Sequence, residues 1–413
     1  MPGDRSHPDP TSRVYLDHAA STPMLPSAVA AFADAAALVG NASSLHGSGR
    51  RIRALVEESR ERVAAALDAH PTEVLFTSGG TEADNIAVTG AYAARTSTDP
   101  LTRGLVTSTI EHHAVLEPAE ALEHAGADLR LVAPDASGVV AVEAVREALD
   151  RIEAGGSRPA LVSLMWANNE IGTVQPVREV AALARSRGAT VHSDAVQAAG
   201  PLAVSFAESG LDLMSVSGHK LGGPAGIGVL VAGREVSVEP IVRGGGHERG
   251  LRSGTLPAAL IAACAVAVEE AAARRDVETP RLVALRDRLC SEVLALDLGI
   301  MLGGRWTPGS AADRLPGNVH LVVPGCEPDS LLFLLDAAGI EASTGSACLA
   351  GVPGRSHVLD AIGVPGDGPV GVVRLTLGHT TTESHVERAV AALADCVPRA
   401  RAAAAVGVGS GSA

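Results

Sequence analysis

Short apolar runs recur between residues 73 and 233, each closed by turn-forming residues: EVLFTS from Glu73, GLVTST from Gly104, DLRLVAP from Asp128, ALVSLMWAN from Ala160, TVHSDA from Thr190, LMSVSG from Leu213 and GIGVLVAG from Gly226. Most are continuous rather than alternating in hydrophobicity, which predicts strands buried on both faces. Between most of them the apolar positions repeat with helical period, as from Val177 to Arg187. Strand and helix in alternation predict βα units and a mainly parallel, seven-stranded sheet flanked by helices, an α/β fold. Upstream, Ile52, Leu55, Val56, Val63 and Leu67 mark one face of a long helix. Its arginines, Arg51, Arg53, Arg60 and Arg62, read as the solvated face.

The rhythm changes near Glu278-Thr279-Pro280, where an alanine-rich helix is expected to end and a charged one to begin. Beyond it, helix, strand (NVHLVV), helix (DSLLFLLDAAG) and strand (VVRLTLG) predict a smaller α/β domain. The expected division is a disordered start over 1–13, a large domain over 14–278 whose first residues pack on the small one, a small domain over 279–400, and a flexible tail over 401–413.

Composition narrows the function. A formal net charge of −14 argues against a nucleic-acid-binding surface. The start, MPGDRSHPDPTSR, has no apolar core of signal-peptide type, and no apolar stretch approaches the ~20 residues of a membrane span, so a cytoplasmic protein without membrane contact is expected. The five cysteines include no CxxC pair, and their odd number does not suit a disulfide framework. Cys264, Cys290, Cys326 and Cys396 read as small buried hydrophobes, whereas Cys348 lies in EASTGSACLAGVPGRSH, whose small and turn-forming residues predict an exposed loop.

Three features carry chemistry. In FTSGGTEADN a strand ends, Ser78-Gly79-Gly80-Thr81 turn, and a helix begins; its first N–H groups suit a phosphate, or the segment is an ordinary capped turn. It is not a nucleotide P-loop, because GxxxxGK[ST] is missing. Asp194 ends an apolar strand in VHSDAVQ, placed either to pair with a buried cation or to cap the next turn. Lys220 follows another strand in SVSGHKLGG, a segment too glycine-rich to continue a regular element. If the strands are parallel, all three features meet at one carboxyl edge, where such sheets keep ligands. A phosphate cradle, an aspartate and a desolvated lysine are what pyridoxal 5'-phosphate needs. Adjacent His112 and His113 diverge and have no third ligand at useful spacing, so no metal site is expected. His46 reads as a structural histidine, Asn168 as a backbone-shaping neighbour, and Arg249 and Arg252 as loop or interface charges.

The chain resembles the cysteine desulfurases of the class V aminotransferase group. YLDHAASTP, GNASSLHGSGR, FTSGGTEADN, IEHHAVL, ANNEIGTVQP, HSDAVQAAG, SVSGHKLGGPAGIG, GGGHERGLRSGT and STGSAC occur in that family's order, and the likeness covers nearly the whole chain from Tyr15. The resemblance implies a fold of type I among pyridoxal-phosphate enzymes, with the cofactor bound as an imine on Lys220. Asp194 would pair with the ring nitrogen, His112 stack on the ring, and Gln197 bond the ring hydroxyl with Asn169 close by. Gly80, Thr81, Ser217 and His219 would hold the phosphate, together with Thr255 from the second subunit of a homodimer with shared active sites. Arg374, aided by Asn41, would clamp the substrate carboxylate.

The reaction this implies converts L-cysteine to L-alanine. The amine of Lys220 would remove the Cα proton, and Cys348, helped by His112, would take the sulfur as a persulfide for an acceptor protein such as an iron–sulfur scaffold or a tRNA-thiolation enzyme. A selenocysteine lyase or related lyase of the same fold is the alternative; a non-catalytic sulfur-relay protein is another, which the Asp194/Lys220 pair argues against. Two departures stand out. Leu349-Ala350-Gly351 follows the cysteine where the family often has small hydroxyl residues, and Ala42 replaces a usual proline. The tail carries no recognisable scaffold-docking segment.

Overall fold

The computed structural model describes residues 13–345, 355–364 and 368–409; Cys348 lies outside the described residues. After a short strand, β1 (Val14–Tyr15), the apolar runs form β2 (Val74–Thr77), β3 (Gly104–Ser108), β4 (Asp128–Val132), β5 (Pro159–Ser163), β6 (Thr190–Asp194), β7 (Leu213–Ser217) and β8 (Gly228–Ala232). They make one seven-stranded sheet in the order β2-β8-β7-β6-β5-β3-β4. β8 runs antiparallel to both neighbours and all other pairs are parallel. Every residue of β2, β3, β5, β6, β7 and β8 is buried, as continuous apolar runs require. β4, which carries Asp128 and Arg130, is partly exposed at the edge.

A hairpin of β9 (Gly246–His247) and β10 (Arg252–Ser253) follows. Then β11 (Met301–Leu302), β12 (Asn318–Pro324) and β14 (Val370–Thr376) form a smaller antiparallel sheet, while β13 (Ile340–Glu341) pairs in parallel with β1. The chain's beginning is thereby tied to its far end, and Val14 and Leu16 join Val319, Leu321, Val373 and Leu375 in a second core.

Two sequence expectations fail locally. The helix expected to stop near Pro280 continues, as one helix over Ala258–Ala295. Its first half contributes Ile261, Cys264 and Val268 to the core under the large sheet, and its second half gives Leu282, Leu285, Leu289 and Val293 to the second core. Burial on both sides of the proline outweighs the lost backbone hydrogen bond. Arg60 is not solvated: on the helix Gly47–Ala66 its guanidinium turns inward onto Glu248, at 2.7 and 2.9 Å, and onto the carbonyl of Val74. From Arg401 the chain is helical as far as Gly409, in line with the alanines there. Cys264, Cys290, Cys326 and Cys396 are free and buried, as expected.

Candidate active site

Because β8 is the single reversed strand, β2, β3, β5, β6 and β7 all end on one edge of the sheet. Residues at and just beyond those ends, Gly80, Thr81, His112, Asn169, Asp194, Gln197, Ser217, His219 and Lys220, line a cavity of about 350 Å³, which Arg374 of β14 completes from the smaller sheet. The parallel topology brings the residues of the large sheet to this edge, and the packing of the second sheet adds the arginine.

The turn after β2 is shaped by close packing. A Cβ on Gly80 would stand 2.8 Å from Val196 Cγ2, and one on Gly228 of β8 would strike the backbone of Gly79 at 2.5 Å. The helix begun at Gly80 continues through a π turn, Ile86–Gly90, into Ala91–Thr98. Gly80 and Thr81, its first residues, line the cavity together with Ser217 and His219. Burial and then the charge of Lys220 push His219 down to about 4, so the ring is neutral and donates one N–H.

Lys220 ends a short 3-10 turn after β7 and is half-buried; its Nζ donates to the carbonyls of Ala19, at 2.5 Å, and Ala20, at 2.9 Å. Gln197 Nε2 donates to the same Ala19 oxygen at 3.0 Å. Asp194 is 7% exposed, and its Oδ1 accepts the Val196 N–H at 2.8 Å. Burial pushes this carboxyl up to about 6, against the Val196 hydrogen bond and the charge of Lys220. His112 caps the helix His113–His124: its Nδ1 accepts the Ala114 N–H at 3.1 Å, which puts the neutral ring's proton on Nε2. Burial, reinforced by Lys220 and two neighbouring histidines, lowers it to about 4.

Arg374 on β14 is 2% exposed. Its Nη2 reaches Asp17 at 2.9 Å, its Nη1 reaches the carbonyls of Asn169 and Gly345, and its Nε has no hydrogen-bond partner among the described residues. An arginine with an unused donor beside the cavity suits a carboxylate.

Asn41 and Thr255 do not line this cavity within one chain. Asn41 is exposed and turned into its own loop, Oδ1 accepting the Ser43 N–H, and Thr255 is also exposed. Asn168 is fully buried and accepts the N–H groups of Glu170 and Ile171, a backbone-shaping part. His46 caps the helix Gly47–Ala66, and Arg249 and Arg252 bind the Ala232 carbonyl and Glu82. Among the described residues, no three His, Cys, Asp or Glu side chains are grouped to hold a metal ion, and no helix is long and apolar enough to cross a membrane.

Sequence reasoning misses two buried acids, Asp84, which also lines the cavity, and Glu111. They are 1% and 0% exposed, each with one oxygen lacking a hydrogen-bond partner among the described residues. Asp84 is held well above the usual carboxylate range by burial and then by Asp194. It stands 3.6 Å from His192, which bridges Ser163 and Ser215. Burial pushes Glu111 up to about 8. Between its unfolded value near 4.5 and about 8, the folded chain binds more protons than the unfolded one, so Glu111 lowers stability as pH rises through that window. Glu111→Gln should therefore flatten the decline of unfolding free energy between those limits; an unchanged slope in urea unfolding would contradict this protonation state.

The chain matches the class-V aminotransferase family over residues 14–389. It is 48% identical to the IscS-like cysteine desulfurase of Mycobacterium tuberculosis (strain ATCC 25618 / H37Rv) over 96% of this chain and 99% of that protein. Among solved structures, a NifS-like protein superposes with a TM-score of 0.84 at 31% identity, covering 94% of this chain and 100% of that one. Another, SspA in complex with cysteine, gives 0.72 at 28% identity over 88% of this chain and 98% of that one. With such agreement in sequence and fold over nearly its whole length, the chain belongs to the class-V aminotransferase family, among its IscS-like cysteine desulfurases.

Proposed function

We propose that this enzyme takes sulfur from L-cysteine, leaves L-alanine, and carries the sulfur on Cys348 to an acceptor protein. The observation that supports this most is the convergence of Lys220, Asp194, His112 and Arg374 on one cavity. Its residues fit pyridoxal 5'-phosphate, which the family implies. The donors of Gly80, Thr81, Ser217 and His219 suit the phosphate, and Asp194, a buried carboxylate beside them, suits a cationic ring N–H. When bound, that cofactor withdraws electrons from the substrate's Cα and so weakens its C–H bond.

The chain's own groups do the rest. Asp194 would hold a proton at the cofactor's ring nitrogen. His112, neutral with its proton on Nε2, would stack on the ring and offer a donor to the substrate or to the Cys348 thiol. Gln197 and Asn169 would flank the ring hydroxyl. Arg374 binds the substrate carboxylate, displacing part of its contact with Asp17 or sharing it. The amine of Lys220 would hold the cofactor and, once released, would serve as the base that moves the Cα proton. The thiolate of Cys348 attacks the substrate sulfur: the S–S bond forms as the Cβ–S bond breaks, sulfur is oxidised by two electrons, and Cβ is reduced and takes a proton to become the methyl of alanine.

The reading includes a homodimer. Val29, Phe32, Leu38, Val39, Leu45, Ile241 and Val242 are exposed, and Ser43 Oγ lies 3.3 Å from His247 Nε2, which joins the two segments that bear them. An apolar face of this kind, carrying Asn41 and lying near Thr255, suits a second copy that completes the phosphate and substrate contacts.

Cys348→Ser tests the assignment. The purified variant should keep the cofactor's absorbance near ~420 nm and its change on adding cysteine, while alanine release and persulfide fall by at least roughly 100-fold. Alanine release at the unsubstituted rate would refute Cys348 as the acceptor.

A further inference from the structure

We propose that Glu170 is a positioning residue for sulfur transfer: its buried side chain packs beside one end of the segment that bears Cys348 and hydrogen-bonds the other. The inference rests on the reading of Cys348 as the sulfur acceptor.

Residues 346–354 join Gly345 to Arg355. On the near side, the backbone of Ser343 exchanges hydrogen bonds with Arg374 at 2.6 and 3.2 Å, and Gly345 follows at a φ of +94°. Gly345 is pressed against Glu170, since a Cβ placed on it would lie 3.2 Å from Glu170 Cγ and 3.3 Å from Oε2. On the far side, Ser356 Oγ donates to Glu170 Oε2 at 2.6 Å and accepts the N–H groups of Val358 and Leu359, which starts the helix His357–Ala361. One side chain therefore fills the space beside the near flank and bonds the far one. Glu170 and Ser356 are 2% and 5% exposed.

The turn that carries Glu170 is itself held rigidly. Asn168 Oδ1 accepts the Glu170 and Ile171 N–H groups, and Asn318 Nδ2 donates to the Glu170 carbonyl at 3.0 Å. The intervening residue, Asn169, lines the active cavity, and its carbonyl accepts from Arg374 at 2.9 Å. A single turn thus registers the carboxylate-binding arginine against both feet of the sulfur-carrying segment. Burying a carboxyl here costs more than burying an apolar side chain, and burial raises its pKa against the Ser356 hydrogen bond and the charge of Arg374. Attack on sulfur demands alignment to within a fraction of an ångström, so a displaced foot slows transfer without weakening cysteine binding.

Single-turnover experiments on the cofactor-loaded enzyme with L-cysteine test this through two signals: the change in cofactor absorbance, and persulfide on Cys348 trapped by alkylation and read by mass spectrometry. Glu170→Ala and Ser356→Ala should each slow persulfide formation roughly 10- to 100-fold while the absorbance change keeps its size and its half-saturating cysteine concentration. Glu170→Gln, whose amide oxygen still accepts from Ser356, should stay within about threefold of the unsubstituted enzyme. Persulfide formation at the unsubstituted rate in both alanine variants overturns the proposal, and so does a parallel loss of both signals in each. Should Glu170→Ala fail to fold, Ser356→Ala and Glu170→Gln decide it by the same criteria. Persulfide on another cysteine in a parallel Cys348→Ser sample would instead remove the reading on which the inference stands.

Discussion

Lys220→Ala is expected to cut alanine release from cysteine by at least roughly 10³-fold, since in the proposed mechanism one side chain supplies both the covalent hold on the cofactor and the base that moves the Cα proton. The fold should survive. Lys220 is half-buried on a short turn, and the Ala19 carbonyl to which it donates keeps a donor in Gln197 Nε2. The variant should therefore unfold cooperatively near the unsubstituted midpoint, bind pyridoxal phosphate reversibly, and lose it on gel filtration. Retention of more than about 1% of the activity would show that another group serves as base. Asp194 stays in place in such a variant, anchored through the Val196 N–H.

The largest effect on stability is expected away from the cavity, at Glu248. This carboxylate takes two hydrogen bonds from Arg60 and a third, at 2.7 Å, from the Phe76 N–H of β2. Arg60 and Glu248 are 9% and 7% exposed. Glu248→Ala would strip two hydrogen bonds from a buried guanidinium, leaving it the Val74 carbonyl and the partly exposed Glu57, and would leave the Phe76 amide unsatisfied, a loss of about 2–4 kcal/mol. It would also free two residues held at φ +46° and +59°, Glu248 and Arg249, whose left-handed backbone needs outside support. Denaturant unfolding should show the loss. Adding Arg60→Met should recover part of it by removing the under-paired cation while the Phe76 amide stays unpaired. A single-variant loss below about 1 kcal/mol would mean that water reaches the Arg60 site.

Those two positions differ in how readily the sequence reveals them. Lys220 and Asp194 are legible because each ends a continuous apolar run, and parallel strands carry such ends to one edge whatever their separation along the chain. The same regularity makes all seven strands readable. Arg60 is not legible: helical period places it among arginines that face water, and its partner stands 188 residues away. Pro280 misleads because a proline in an exposed sequence stops a helix, whereas here two cores grip the flanking turns. Asp84 and Glu111 look like any surface acids until the fold encloses them. Asp17 is hidden for a related reason, since its contact with Arg374 joins two ends of the chain. Asn41 and Thr255 fall outside the cavity of one chain, and the parts proposed for them would need a second copy, which no linear pattern displays.

The helix Ala258–Ala295 has a practical consequence. At 1.5 Å per residue its thirty-eight residues extend about 57 Å. A fragment boundary drawn where alanines give way to charges would saw this beam through its middle. Each fragment would keep a stub and expose the apolar wall that the missing portion covers, so expression of either half is better begun or ended outside residues 258–295.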